Sequence, residues 1–167
     1  MVNRDTLQEG KMIYKEPFGL FEKWFNEVKA RKDILKPNAM CLATIAKGKY
    51  PTARMMALKE YDKDGFIFFT DYESRKAEDI EDNHNVAATF YWEFFDRSVR
   101  IEGQAEKLSS KENEKHFNSL PVNDQVILSS SPQSLRIVST NEIYERKRDL
   151  EEKYLKSGSK LPVTDHW

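Results

Sequence analysis

The sequence predicts a mixed α+β fold with a mainly β core, a small barrel flanked by peripheral helices. Three observations lead there. Short β-rich runs crowd the stretch from about residue 39 to 107, and turn signals separate them. Helical patterns lie outside that stretch, at about 17–32 before it and about 109–156 after it. No glycine-rich phosphate loop links a strand to a helix, so a doubly wound sheet is not indicated.

Phe18, Phe21, Trp24, Phe25 and Val28 recur at helical spacing behind Pro17, and this aromatic stripe reads as core packing. Met40 to Ile45 is the first apolar run, Lys47-Gly48-Lys49 makes a turn, and Thr52 to Leu58 resumes. Asp62-Lys63-Asp64-Gly65 is a strong hairpin signal ahead of Phe66 to Thr70. A short polar helix is expected from about Ser74 to Asp82. Val86 to Trp92 and Arg97 to Ala105 then form a further strand pair, with Val99 and Ile101 on one face and Arg100 and Glu102 on the other. Ser109-Ser110-Lys111-Glu112 looks like a helix cap, and Asn141 to Lys156 has the composition of a charged surface helix.

A chain of 167 residues is expected to form one domain across 1–167 with a real core. Its 39% hydrophobic and 33% charged residues fit a globular protein with a well-solvated surface. No apolar run approaches the roughly 20 residues of a membrane span, and Met1 to Asp5 is polar, so no membrane association is expected and a cytoplasmic location is. The formal net charge of −1 gives no electrostatic footprint for nucleic acid. Cys41 is the only cysteine, which excludes an internal disulfide; its apolar surroundings suggest a buried small hydrophobe.

Cationic residues recur at strand ends and turns: Arg54, Lys59, Arg75, Lys76 and Arg100. Ser74-Arg75-Lys76 follows a strand and opens a helix, which makes it either a solvated helix start or a phosphate site. Arg54 sits among Ala53, Met55 and Met56 and needs an opposite charge, from a carboxylate or from a ligand anion. His84 reads as solvated, and His116 and His166 have no metal-ligand spacing, so no metal is expected. No catalytic side chain is indicated by a nucleophile elbow or by paired carboxylates.

Taken in order, these segments resemble the pyridoxine/pyridoxamine 5′-phosphate oxidases. The likeness is carried by Pro17-Phe18 to Trp24-Phe25, Asn38 to Thr44, Ala53-Arg54-Met55, Leu58-Lys59, Gly65 to Thr70, Glu73-Ser74-Arg75-Lys76, Phe90-Tyr91-Trp92-Glu93 and Arg97 to Gly103. The resemblance implies an FMN-binding split barrel working as a homodimer on a small-molecule substrate, with hydride passing from the substrate to the flavin and oxygen reoxidising it. It implies that Arg54, Met55, Met56, Ala57, Phe69 and Thr70 line the flavin, that Arg75 and Lys76 bind its phosphate, and that Gln133 and Ser134 add polar contacts. Lys59 would meet the substrate.

The chain departs from the family pattern at several places. His116, Leu120 and Asp124 stand where the family presents Tyr, Arg and Ser to the substrate phosphate, and Ser98 stands where a Gln contacts the flavin. The family's last strands would follow His166-Trp167. The expectation is an intact flavin-phosphate half and a weakened substrate half. The alternative is a catalytically silent relative that binds FMN or a B6 phosphate.

Overall fold

A computed structural model of the chain describes residues 16–46, 50–130, 139–156 and 161–163. The Lys47-Gly48-Lys49 turn, Gln133 and Ser134, Met1 to Asp5 and His166-Trp167 lie outside the described residues. In chain order the elements are α1 (Pro17–Ala30), β1 (Ala39–Ile45), β2 (Pro51–Asp62), β3 (Gly65–Phe68), α2 (Arg75–Asp82), β4 (Asn85–Trp92), β5 (Arg97–Gln104), α3 (Ser110–Ser119), α4 (Val122–Ser130) and α5 (Thr140–Leu150). The five strands form one sheet in the order β3-β2-β1-β4-β5. Among the described residues, no helix is long and apolar enough to cross a membrane.

Local chemistry accounts for most boundaries. The Glu16 carboxylate accepts from the Phe18 and Gly19 amides, each at 2.8 Å, and Pro17 follows where no amide is needed. Ser109 and Glu112 form the reciprocal capping box foreseen for α3. The Asp62 side chain accepts from the Asp64 and Gly65 amides at 2.8 and 3.1 Å and closes the β2–β3 hairpin. Between β4 and β5, Asp96 takes a left-handed conformation (φ 49°) that its short polar side chain tolerates.

Two expectations need correction. The second strand does not stop at Leu58 but runs on to Asp62, because it pairs antiparallel with β3 right up to the turn. The pairing steps from Leu58↔Phe68 to Glu60↔Ile67, which leaves Lys59 as the extra residue of a β-bulge. Cys41 is only half-buried: strand alternation sends Met40, Leu42 and Thr44 into the interior and Cys41 to the other face.

The chain divides into two compact units. One comprises Met1–Cys41, Met55–Phe68 and Ala88–Ile101; the other comprises Leu42–Arg54, Phe69–Ala87 and Glu102–Trp167. In the first, the aromatic stripe of α1 does pack a core, with Phe21, Phe25 and Val28 buried. The Phe21 ring meets Tyr61, Phe66 and Phe90 edge-on at centroid distances of 4.9, 5.1 and 5.4 Å. Arg97 lies over the rings of Trp24 and Phe95 and pairs with Glu27 at 2.5 Å, tying α1 to the β4–β5 turn. In the second unit, Phe117, Val126 and Leu161 form a buried cluster, with Leu120, Leu150, Tyr154 and Val163 packed against it.

Phe21 touches more rings than any other α1 residue, so its loss leaves a cavity that several rigid neighbours cannot fill. Phe21→Ala should destabilise the fold by about 3–5 kcal/mol, read as a lower urea midpoint with an unchanged slope. A loss under about 1 kcal/mol would mean that the cluster collapses around the gap.

Candidate functional site

The polar groups that converge most closely belong to the second unit. After β3 the chain passes through Phe69, Thr70 and Asp71 before α2 begins. The Ser74 amide donates to the Asp71 carbonyl at 3.0 Å, and the Asp71 carboxylate accepts from the Glu73 amide at 2.8 Å. Ser74 is the N-cap of α2, yet its hydroxyl makes no cap hydrogen bond to the helix. It accepts instead from the Lys76 ammonium at 2.9 Å, and the Thr70 hydroxyl accepts from the same ammonium at 2.8 Å.

Lys76 is 8% exposed, and Thr70, Asp71 and Ser74 are buried with it. A solvated helix start would leave its lysine in water, so the sequence alternatives divide: this helix start is built around an inward-turned amine. Burial pushes the Lys76 pKa down, the nearby Arg54 charge pushes it further down, and Asp71 opposes both. Arg75 is exposed at the first position of the same helix. Helix dipole, amides and two cations together suit an anion such as a phosphate.

Arg54 of β2 meets the requirement set for it by a carboxylate. Its guanidinium donates to the Leu42 carbonyl at 3.1 Å, to the Thr44 hydroxyl at 2.9 Å and to the Thr52 hydroxyl at 2.7 Å. The Asp79 carboxylate of α2 lies 3.6 Å from the guanidinium and accepts from both threonine hydroxyls, at 2.7 and 3.0 Å. Sequence reasoning missed Asp79, Thr44 and Thr52. A signal existed: Asp79 is three residues after Lys76 and so shares its helix face, and Thr52 alternates onto the face of Arg54.

Other expected site residues fall as follows. Phe69 is half-buried and meets the His116 ring edge-on at 5.7 Å; His116 is buried near the end of α3. Thus Arg54, Phe69, Thr70, Arg75, Lys76 and His116 belong to one unit. Leu120 packs on the Phe117 cluster, and Asp124 is exposed in the first turn of α4. Met55, Met56, Ala57, Lys59 and Ser98 belong to the first unit, where Met55, Ala57 and Ser98 are exposed and Met56 and Lys59 half-buried. Among the described residues, no cluster of His, Cys, Asp and Glu could hold a metal ion.

Comparison with known proteins bears on the family and the fold. The family described as pyridoxamine 5′-phosphate oxidase matches residues 27–155. The pyridoxine/pyridoxamine 5′-phosphate oxidase of Bombyx mori is 49% identical over 163 residues, which cover 98% of this chain and 63% of that protein. The chain therefore spans less than two thirds of that relative's length. Among solved structures, PhzG from Burkholderia lata 383, in complex with tetrahydrophenazine-1-carboxylic acid, matches with a TM-score of 0.85 at 26% identity, over 97% of this chain and 78% of that one. A pyridoxamine 5′-phosphate oxidase-related, FMN binding protein from Nostoc punctiforme PCC 73102 matches with a TM-score of 0.60 at 16% identity, over 80% of this chain and 73% of that one. The expected split-barrel fold is the one observed.

The lowered Lys76 pKa has two opposite consequences. Between that value and the usual 10.5, the unfolded chain binds more protons than the folded one, so this group makes stability rise with pH. Over the same window the ammonium is lost, so affinity for an anion falls. Inorganic phosphate titrated across a pH series should bind progressively less well from below the ordinary lysine range. Lys76→Met should bind weakly throughout and lose that alkaline decline; an unchanged profile in the variant would remove Lys76 from the site.

Proposed function

The chain belongs to the pyridoxamine 5′-phosphate oxidase family, and on that premise we propose that it binds FMN and oxidises pyridoxine or pyridoxamine 5′-phosphate to pyridoxal 5′-phosphate, with O2 as the acceptor. The observation that carries the proposal is the buried Lys76 amine at the start of α2, held by the Thr70 and Ser74 hydroxyls. A phosphate monoester fits this donor set: an ammonium, two hydroxyls, a helix start without a side-chain cap, and the exposed Arg75 beside it.

FMN, when bound, supplies the hydride acceptor. The protein's part is binding, orientation and charge. Ser74, Arg75 and Lys76 hold the cofactor phosphate. By family likeness Arg54 would present a positive charge to the flavin, and Met55, Met56, Ala57, Phe69 and Thr70 would line it. Lys59 and His116 would, on the same likeness, each meet the substrate; a β-bulge falls at Lys59, and the Phe69 ring meets that of His116 edge-on. Ser98, Gln133 and Ser134 complete the polar contacts by family likeness.

The substrate half supports a weaker hold on phosphate. Leu120 spends its side chain on the Phe117 cluster, and Asp124 brings a negative charge where the family has a serine. Charge-assisted hydrogen bonds are worth about 1.5–3 kcal/mol each. Losing two of them weakens phosphate binding by roughly a hundredfold or more. That packing of Leu120 also favours the second reading, an FMN- or B6-phosphate-binding relative without turnover.

We also propose a homodimer. In the first unit Met55 and Tyr91 are each 66% exposed. With Ala39, Cys41, Thr89 and Phe94 they line a cavity of about 430 Å³ on one face of the sheet. A second copy would cover this apolar face, in keeping with a family site shared between subunits.

Three measurements test these proposals. Purified protein should titrate with FMN, and Arg75→Ala with Lys76→Ala should weaken binding at least about a hundredfold. Peroxide release with pyridoxine 5′-phosphate should be slow; FMN binding without any release would leave the second reading standing, and an unaltered titration of the double variant would remove this phosphate site. Sedimentation at micromolar concentration should give a dimer that Tyr91→Glu dissociates. A monomer that binds FMN fully would overturn the shared-site arrangement.

A further inference from the structure

Asp79 is 4% exposed and carries a carboxylate that the proposed chemistry does not use. We infer that Asp79 is a positioning residue for Arg54: it fixes the direction of two threonine hydroxyls, and through them the orientation in which the guanidinium faces the cofactor. The consequence for the cofactor rests on the FMN reading given above; the effect on Arg54 does not.

The argument is one of proton accounting. A threonine hydroxyl has one proton to give and lone pairs to receive. Thr44 and Thr52 both donate to Asp79, at 2.7 and 3.0 Å. Each is thereby left to accept, and each accepts from the same guanidinium nitrogen of Arg54, at 2.9 and 2.7 Å. The Leu42 carbonyl takes the neighbouring nitrogen at 3.1 Å. The two hydroxyls also lie 3.0 Å apart, so either is able to donate to the other. The carboxylate, by accepting from both at once, favours the arrangement in which each keeps its lone pairs for the guanidinium. Without it, either hydroxyl is able to turn its proton elsewhere, and the guanidinium loses its fixed seat.

Charge points the same way. Arg54 and Lys76 are close enough for each to feel the other, and both are withdrawn from solvent. The carboxylate 3.6 Å from Arg54 offsets one of these two like charges. Helix α2 supplies both halves of the arrangement, the amine at Lys76 and the carboxylate one turn later at Asp79. The anion-holding end of the helix and the seat of Arg54 are therefore set by a single rigid element.

Asp79→Asn keeps the shape of the side chain and removes its charge; Thr44→Val removes one relay hydroxyl. The Arg54 side-chain N–H resonances of the ligand-free protein report the seat, and FMN titration reports its consequence. In the parent protein the resonances should be sharp and slow to exchange. In both variants they should broaden or exchange away, and FMN affinity should fall about tenfold. In an Arg54→Ala background, Asp79→Asn should cost no further affinity, because its effect passes through Arg54. Unchanged Arg54 resonances in Asp79→Asn would overturn the inference, as would an undiminished loss of FMN affinity in the Arg54→Ala background. If the parent protein fails to bind FMN, the proposed function falls, and the Arg54 resonances alone decide the positioning role.

Discussion

Arg54 stands on a strand whose neighbouring positions are apolar, and a guanidinium withdrawn from water there is costly unless its charge and its donors are met. The answer comes from Asp79, delivered across from α2, with Thr44 and Thr52 between them. This one interaction constrains a good deal of the second unit. It requires β1 to place a hydroxyl at Thr44, β2 to place one at Thr52, and α2 to lie with its Asp79 face toward both. Once α2 is held so, its first turn is held too, and with it the buried Lys76 amine. The Phe69-Thr70 segment follows, since Thr70 is hydrogen-bonded to that amine. A helix start suited to an anion is thereby preorganised by a carboxylate, Asp79, that need never touch it.

The first unit is governed by apolar burial. Its core is a stack of rings around Phe21, to which α1 contributes a stripe and β2, β3 and β4 contribute Tyr61, Phe66 and Phe90. The bulge at Lys59 falls just where β2 passes from its long alternating run to its pairing with β3. Leu58 is pinned beside it: its amide donates to the Asn38 carbonyl at 2.9 Å, and its carbonyl accepts from the Asn38 side chain at 2.8 Å. Bulges bend a strand and re-aim a side chain, and this one falls at the residue proposed to meet substrate.

Much of this was legible in the residues. The aromatic stripe behind Pro17 packs as a core, because a helical repeat of large apolar side chains has few other stable uses. The capping box at Ser109 and the hairpin at Asp62 to Gly65 formed as read, because both depend on neighbours in sequence alone. Arg54 was recognised as needing a counter-charge, but its partner lies 25 residues on, and no local pattern links the two. The apolar surroundings of Cys41 suggest burial, but a run of apolar residues carries no phase, and Met40, Leu42 and Thr44 take the interior. The bulge at Lys59 was invisible for a related reason, since register belongs to the pairing with β3 and not to β2 itself.

Leu120 stands where the family likeness places an arginine, and its packing bears on what that position can do. An arginine at that position can reach for a phosphate only by leaving the adjacent apolar surface, whereas leucine joins the cluster of Phe117, Val126 and Leu161. The backbone there is already committed: the Leu120 amide donates to Phe117 at 3.1 Å and its carbonyl accepts from the Gln125 side chain at 2.9 Å. The exchange removes a long, rotamer-rich cation, and the partly buried leucine gains only part of the roughly 1.5–3 kcal/mol of a fully buried one; on the proposed function the phosphate loses an anchor in return. No such trade is open at Lys76. Its amine sits among hydroxyls and beside Arg54 and has no apolar cluster to join. Replacing it with an apolar side chain would remove the charged donor that the buried Thr70 and Ser74 hydroxyls share and place an apolar group against them. On the proposed function the two halves of the site would therefore differ in how freely they can drift, the half built from buried polar groups being the more constrained.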